Sequence, residues 1–200
     1  MFDDYTSNDV INYNDFRNAP EYSIVLSDPG TATHIQGLTV SNNTFENQYF
    51  SGVLVTGVGP NTSTPFIPVR YQGSTDAYWN YNYCPTSTQL VGVPTGTVFL
   101  GNTFTGALGS AVALNESLGT QLSNNTFHNN YYANGSPLAT GGGSALFMSP
   151  CNISTLIANN RIDAPDVGSS QVSGLELDGQ NIHINNNQIQ NLGGSGIYLA

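Results

Sequence analysis

Lysine is absent from these 200 residues, and the only basic side chains that are always charged belong to Arg17, Arg70 and Arg161. Against them stand 13 acids, for a formal net charge of −10, so electrostatics would not draw nucleic acid or an anionic lipid surface. Charged residues are only 8% of the chain, yet hydrophobics reach 38% and include 9 Phe and 11 Tyr, which favours a packed core over disorder. No apolar run approaches the roughly 18 residues of a membrane-crossing helix. The start, MFDDYTSNDV, has neither the basic nor the apolar region of a secretory leader. Cys84 and Cys151 match no metal-site spacing. No stretch sustains a 3.6-residue period, so helix should be almost absent.

What is plentiful is asparagine, 25 residues of it, and it is periodic. The pattern apolar-x-x-Asn-x-(Phe/Ile) recurs at Ile11–Asn14–Phe16, Val40–Asn43–Phe45, Phe99–Asn102–Phe104, Leu122–Asn125–Phe127, Ile157–Asn160–Ile162 and Ile184–Asn187–Ile189. After each comes a short alternating segment, often opened by Ser-Gly or Ser-Ala: YSIVLSD, SGVLVTG, SAVALNE, SALFMSP, SGLELDG and SGIYLA. Period-two alternation means strand, and it names the buried side. The inward pairs are Ile24/Leu26, Val53/Val55, Val112/Leu114, Leu146/Met148, Leu175/Leu177 and Ile197/Leu199. Successive segments start 29, 59, 34, 29 and 22 residues apart, which reads as one unit of about 22 with insertions. Such a period indicates a solenoid. Leu38–Phe45 also fits a leucine-rich core, but the Val-, Ser- and Gly-rich second strand after each asparagine does not fit that repeat.

On these residues the chain resembles the right-handed parallel β-helix, or pectin-lyase-like, family over nearly its whole length. The expected fold is all-β: a parallel β-helix solenoid of about six coils, one domain spanning 1–200, with a long insertion at 58–96. In that family a turn between two strands of each coil carries a stacked asparagine, and Asn14, Asn43, Asn102, Asn125, Asn160 and Asn187 fit that ladder. Phe16, Phe45, Phe104 and Phe127 should stack inside. No segment at either end reads as a cap, which predicts a piece of a longer chain.

Insertions of about 37 residues (58–96), 11 (within 128–142) and 5 (within 163–172) flank the Ser-Gly strand, so its outward face becomes the floor of a walled groove. The resemblance also implies that substrates lie along that strand. Alternation puts Val25/Ser27, Leu54/Thr56, Ala113/Asn115, Phe147/Ser149, Glu176/Asp178 and Tyr198 on the floor. The large loop adds Tyr71, Tyr78, Trp79, Tyr81 and Tyr83, which either stack on sugars or form the loop's own core. Candidate substrate-binding residues are Asn115, Phe147, Ser149, Tyr198 and Trp79.

Glu176 and Asp178 are the candidate catalytic pair, because no other coil sets two carboxylates on the floor. Two residues along a strand separate their stems by roughly 6.6 Å, which chooses neither retaining nor inverting glycoside hydrolysis. Mutual repulsion should raise one pKa. Calcium binding is the alternative role for the pair, and two solvated surface acids the plain one; no other cofactor is expected. A Cys84–Cys151 disulfide is within reach of a long loop, two buried thiols being the alternative. His34, His128 and His183 lie far apart in the repeat and read as surface histidines. Six Asn-x-Ser/Thr sequons occur, at Asn42, Asn61, Asn115, Asn124, Asn134 and Asn152.

Two functions compete. One is a secreted or cell-surface enzyme on polysaccharide, of glycoside hydrolase, lyase or epimerase type. Against it stand the missing signatures of related enzymes: no lysine, no arginine on the floor, and neither the epimerase nor the polygalacturonase motifs (Asp28-Pro29-Gly30 is a turn). The other is a non-catalytic β-helix that binds glycans or acts as a spacer, which needs no such signature.

Overall fold

The structure, a computed structural model, describes residues 7–28, 35–57, 93–130, 144–165 and 173–199. These contain eighteen strands and, among the described residues, no helix. The chain winds through three strands per coil, six times. Coil 1 is β1 (Val10–Asn12), β2 (Asp15–Arg17) and β3 (Tyr22–Asp28); coil 2 is β4 (Thr39–Ser41), β5 (Thr44–Glu46) and β6 (Ser51–Gly57). Coil 3 is β7 (Val98–Leu100), β8 (Thr103–Thr105) and β9 (Val112–Leu118); coil 4 is β10 (Gln121–Ser123), β11 (Thr126–His128) and β12 (Ser144–Ile153). Coil 5 is β13 (Leu156–Ala158), β14 (Arg161–Asp163) and β15 (Ser173–Leu177); coil 6 is β16 (His183–Asn185), β17 (Gln188–Gln190) and β18 (Ile197–Leu199). Like strands pair in parallel from coil to coil, giving three six-stranded sheets, here I, II and III in the order the chain meets them.

The short strands of sheets I and II turn one residue inward and two outward. In sheet II the inward residues align in register, Phe16, Phe45, Phe104, Phe127, Ile162 and Ile189. The four rings stack face to face with centroids 5.0, 4.6 and 5.1 Å apart. Each fully buried ring contributes about 1.5–3 kcal/mol by leaving water. Gly52 of β6 follows from this stack: a Cβ there would sit 2.9 Å from the Phe104 ring.

The corner between sheets I and II uses two residues per coil. The first is left-handed: Tyr13, Asn42, Gly101, Asn124, Asn159 and Asn186, with φ between 51° and 65°. The second is the periodic asparagine, whose Nδ2 donates to the Oδ1 of its counterpart one coil on. These bonds run Asn14–Asn43–Asn102–Asn125–Asn160–Asn187 at 3.0, 3.1, 3.0, 3.0 and 2.9 Å. From Asn43 onward, Nδ2 also donates to a strand carbonyl of the preceding coil, as Asn125 does to Phe99 at 3.0 Å. The interior amides are thereby satisfied without water.

Ten of the expected inward residues of sheet III, from Ile24 to Leu177, are buried, but Ile197 and Leu199 are 44% and 68% exposed because no described coil lies beyond them. The expected 58–96 insertion is shorter at its end. Thr95 already bridges Gln36 and Leu118, and left-handed Gly96 stands in line with Gly37 and Gly119. Tyr71, Tyr78, Trp79, Tyr81, Tyr83, Cys84, His34 and the Cys151 side chain lie outside the described residues, and with them the proposed disulfide.

Candidate functional site

The outward face of sheet III carries one unbroken column, Val25–Leu54–Ala113–Phe147–Glu176–Tyr198, fixed by strand register. Its character changes along the axis. Leu54, Ala113 and Phe147 are 8%, 2% and 8% exposed and form an apolar cluster with Tyr22 and Val25 packed against it. Tyr198 is 50% exposed, and Glu176, between Phe147 and Tyr198, is half-buried. The expected open floor therefore does not extend along the whole sheet. Asn115, Phe147 and Ser149 are closed from solvent; the face is half-open at Val25, Ser27 and Thr56 of coils 1 and 2 and again, this time with carboxylates, at coils 5 and 6.

A β-bulge interrupts the sheet at that transition. Between the pairs Met148–Leu114 and Cys151–Glu116, the two residues Ser149 and Pro150 oppose Asn115 alone. The Ser149 hydroxyl donates to the Asn115 carbonyl. Asn152 Nδ2 closes the bulge by donating to Leu114 O at 2.8 Å and Ser149 O at 2.7 Å, while Ser117 donates to Asn152 Oδ1 at 2.8 Å. Bulges bend a strand and re-aim its neighbours. Here Met148 O, just before the bulge, accepts the Asp178 N–H at 3.2 Å. Gly179 then takes φ +143°, and a Cβ there would meet Asn152 O at 2.5 Å, so only glycine lets the chain turn past the bulge.

Asp178 is half-buried, and its carboxyl is pushed above the usual carboxylate range. Burial is the cause, opposed by a hydrogen bond from the Gly179 N–H. The expected shift in this pair is thus present at Asp178, but through lost water rather than through repulsion from Glu176. Among the described residues no group of three or more His, Cys, Asp or Glu side chains could hold a metal. Calcium prefers six to eight oxygens, and Glu176 with Asp178 would supply only part of that set.

Comparison with known proteins bears on the fold. The family model described as "Right handed beta helix region" matches residues 86–200, more than half of the chain. The chain belongs to the right-handed β-helix family. No curated protein and no solved structure matches it. No helix among the described residues of this β-helix is long and apolar enough to cross a membrane.

The β-helix also brings together a cluster that sequence reasoning missed. On the outer face of sheet II, His128 Nδ1 is hydrogen-bonded to Asp163 Oδ1, and Arg161 reaches Asp163 Oδ2 at 3.0 Å. The Asn129 amide lies 2.9 Å from His128 Nε2. Burial pushes the Asp163 carboxyl up, but the hydrogen bonds and charges of His128 and Arg161 outweigh it and hold it below the usual range. His128 is therefore a paired histidine, not an isolated surface one. The signal was available: His128 and Asp163 each stand three residues after a stacked asparagine, which places them side by side on adjacent coils. His183 is exposed, with Nε2 3.1 Å from Asn181 Oδ1.

Proposed function

We propose that this β-helix is a secreted or cell-surface protein that acts on polysaccharide through the coil 5–6 end of sheet III, as a carbohydrate-active enzyme. The observation that carries the reading is Glu176, in register between Phe147 and Tyr198, with Asp178 two residues further along. The exposed Tyr198 ring offers a stacking face for a sugar. Asp178 holds its proton to higher pH than an ordinary aspartate, which suits a general acid protonating the glycosidic oxygen. Glu176 would serve as base or nucleophile on the opposite side of the anomeric carbon. Hydrolysis is the chemistry that two carboxylates on one strand face support; the chain has no lysine, Arg17 and Arg161 stand on sheet II, and Arg70 lies outside the described residues.

A panel of neutral and acidic polysaccharides, read by reducing-sugar release and by the absorbance of unsaturated products, tests this. Glu176→Gln and Asp178→Asn should each abolish turnover with an unchanged circular dichroism spectrum. Turnover that survives both substitutions rejects the pair.

A second reading is a non-catalytic glycan-binding or structural β-helix. It is favoured by the closed apolar stretch of Leu54, Ala113 and Phe147, which leaves a short face. Glycan retention without product, unchanged in both variants, would select it. Calcium held by Glu176 and Asp178 is the other role for the pair, and it would appear as calcium-dependent thermal stabilisation lost in either variant.

A further inference from the structure

The corner between sheets I and II presents the same three positions in every coil: a left-handed residue, the stacked asparagine and the first residue of the sheet II strand. The middle residue is turned inward by its amide bonds, so its two neighbours are the ones that meet solvent. In coil 2 the three are Asn42, Asn43 and Thr44; in coil 4 they are Asn124, Asn125 and Thr126. Both triplets are sequons, and in the other four coils the same positions lack either the asparagine or the threonine.

Asn42 and Asn124 are exposed, as is Thr44, while Thr126 is half-exposed. Neither side-chain amide has a hydrogen-bond partner among the described residues, although both backbone N–H groups donate to the next coil, to Leu100 O and Ala158 O. Two other sequons are closed: Asn115 and Asn152 are both 0% exposed, and Asn152 is committed to the bulge. A sugar on either would be incompatible with the folded sheet.

Coil 3 stands between the two exposed sequons and has Gly101 at this corner. A Cβ there would lie 2.8 Å from Asn42 Oδ1, so the glycine leaves room for the Asn42 amide. Glycans on adjacent coils would emerge about 4.8 Å apart, narrower than a pair of pyranose rings; two coils give about 10 Å.

We infer that Asn42 and Asn124 are acceptors for N-linked glycan, attached at one corner of the β-helix, away from sheet III. The inference rests on the extracytoplasmic part of the proposed function and not on catalysis. In the transfer, the asparagine Nδ2 attacks C1 of an oligosaccharide carried on a lipid diphosphate. The new N–C1 bond replaces the C1–O bond, the lipid diphosphate leaves with the electron pair, and one amide proton passes to the transferase's base.

The full chain, secreted from a eukaryotic cell behind an added leader, is digested with an N-glycosidase in heavy-oxygen water and mapped by peptide mass spectrometry. Label is expected at positions 42 and 124 and not at 115 or 152. Thr44→Ala and Thr126→Ala should each remove the label at one site only, and Thr44→Ser should retain it. Site-level mapping is needed because Asn61 and Asn134 are also sequons. If the chain is retained in the cell, its microsomal fraction is mapped in the same way. An unlabelled Asn42 or Asn124 overturns the assignment at that residue, and label at Asn115 or Asn152 in folded protein overturns the sorting by exposure. Polysaccharide turnover is read separately, so its absence leaves this result standing.

Discussion

Asn124 and Asn125 are sequence neighbours with opposite duties. Asn125 accepts from the Asn102 N–H and Nδ2 and donates to Asn160 and Phe99, all in the interior. Asn125→Ala should cost about 3 kcal/mol or more in chemical denaturation, because buried partners are left unmet. Asn124 holds φ 57° at an exposed corner. Asn124→Gly should be nearly neutral and Asn124→Ala should cost about 1–2 kcal/mol, measured on protein from a host that adds no glycan. Two aspartates diverge in the same way with pH. Asp163 has a lowered pKa, so its contribution is complete above the ordinary carboxylate value of about 3.9 and is lost as pH falls through its lower folded value. Asp163→Asn should therefore destabilise at pH 7, by about 1–3 kcal/mol for the lost charged hydrogen bonds, with the gap closing in acid. Asp178 has a raised pKa, so the cost of burying its charge grows as pH rises from about 3.9 through its folded value. Asp178→Asn should stabilise at pH 7 and make no difference well below pH 4. The periodic asparagines were legible in the sequence from their spacing, and the family resemblance implied that they stack. The left-handed ones were not, because a pattern of one asparagine per coil has no place for a residue chosen by its backbone angle.

At the scale of the strand, sheet III is governed by how closely its first residues approach sheet II. A Cβ on Gly174 would meet Gly196 O at 2.6 Å and Ile189 Cγ2 at 2.9 Å, whereas on Gly196 its nearest neighbour would be 3.7 Å away. Gly174→Ala should cost about 1–3 kcal/mol and displace Glu176, two residues on; Gly196→Ala should be tolerated. Thermal melts of the two variants, with turnover alongside, would compare them directly. Strand identity and inward residues were readable from alternation: YSIVLSD and SGVLVTG coincide with Tyr22–Asp28 and Ser51–Gly57. The bulge at Ser149 and Pro150 was not, because an extra residue shows only once the partner strand is known. For the same reason alternation could name Glu176 and Asp178 as candidates but could not show the closure of Asn115, Phe147 and Ser149.

For the whole molecule, each coil touches only its neighbours, so stability is a sum of coil and interface contributions. The strands of sheets I and II in coils 1 and 6 keep only partly buried centres, while those of coils 2 to 5 are buried. Hydrogen exchange should therefore be slowest in β10 and β11 and fastest in β1, β2, β16 and β17; uniform protection would contradict a stack that frays from its ends. The coil count was legible because one unit recurs six times.

Parallel pairing also gives the molecule a mechanical direction. The backbone hydrogen bonds between coils, and the amide bonds of the asparagine corner, run coil to coil along the stack. A pull along that axis loads them one coil at a time, so the stack should peel in small steps at low force. A pull along the strands loads a whole interface in shear, and the same bonds should then resist together.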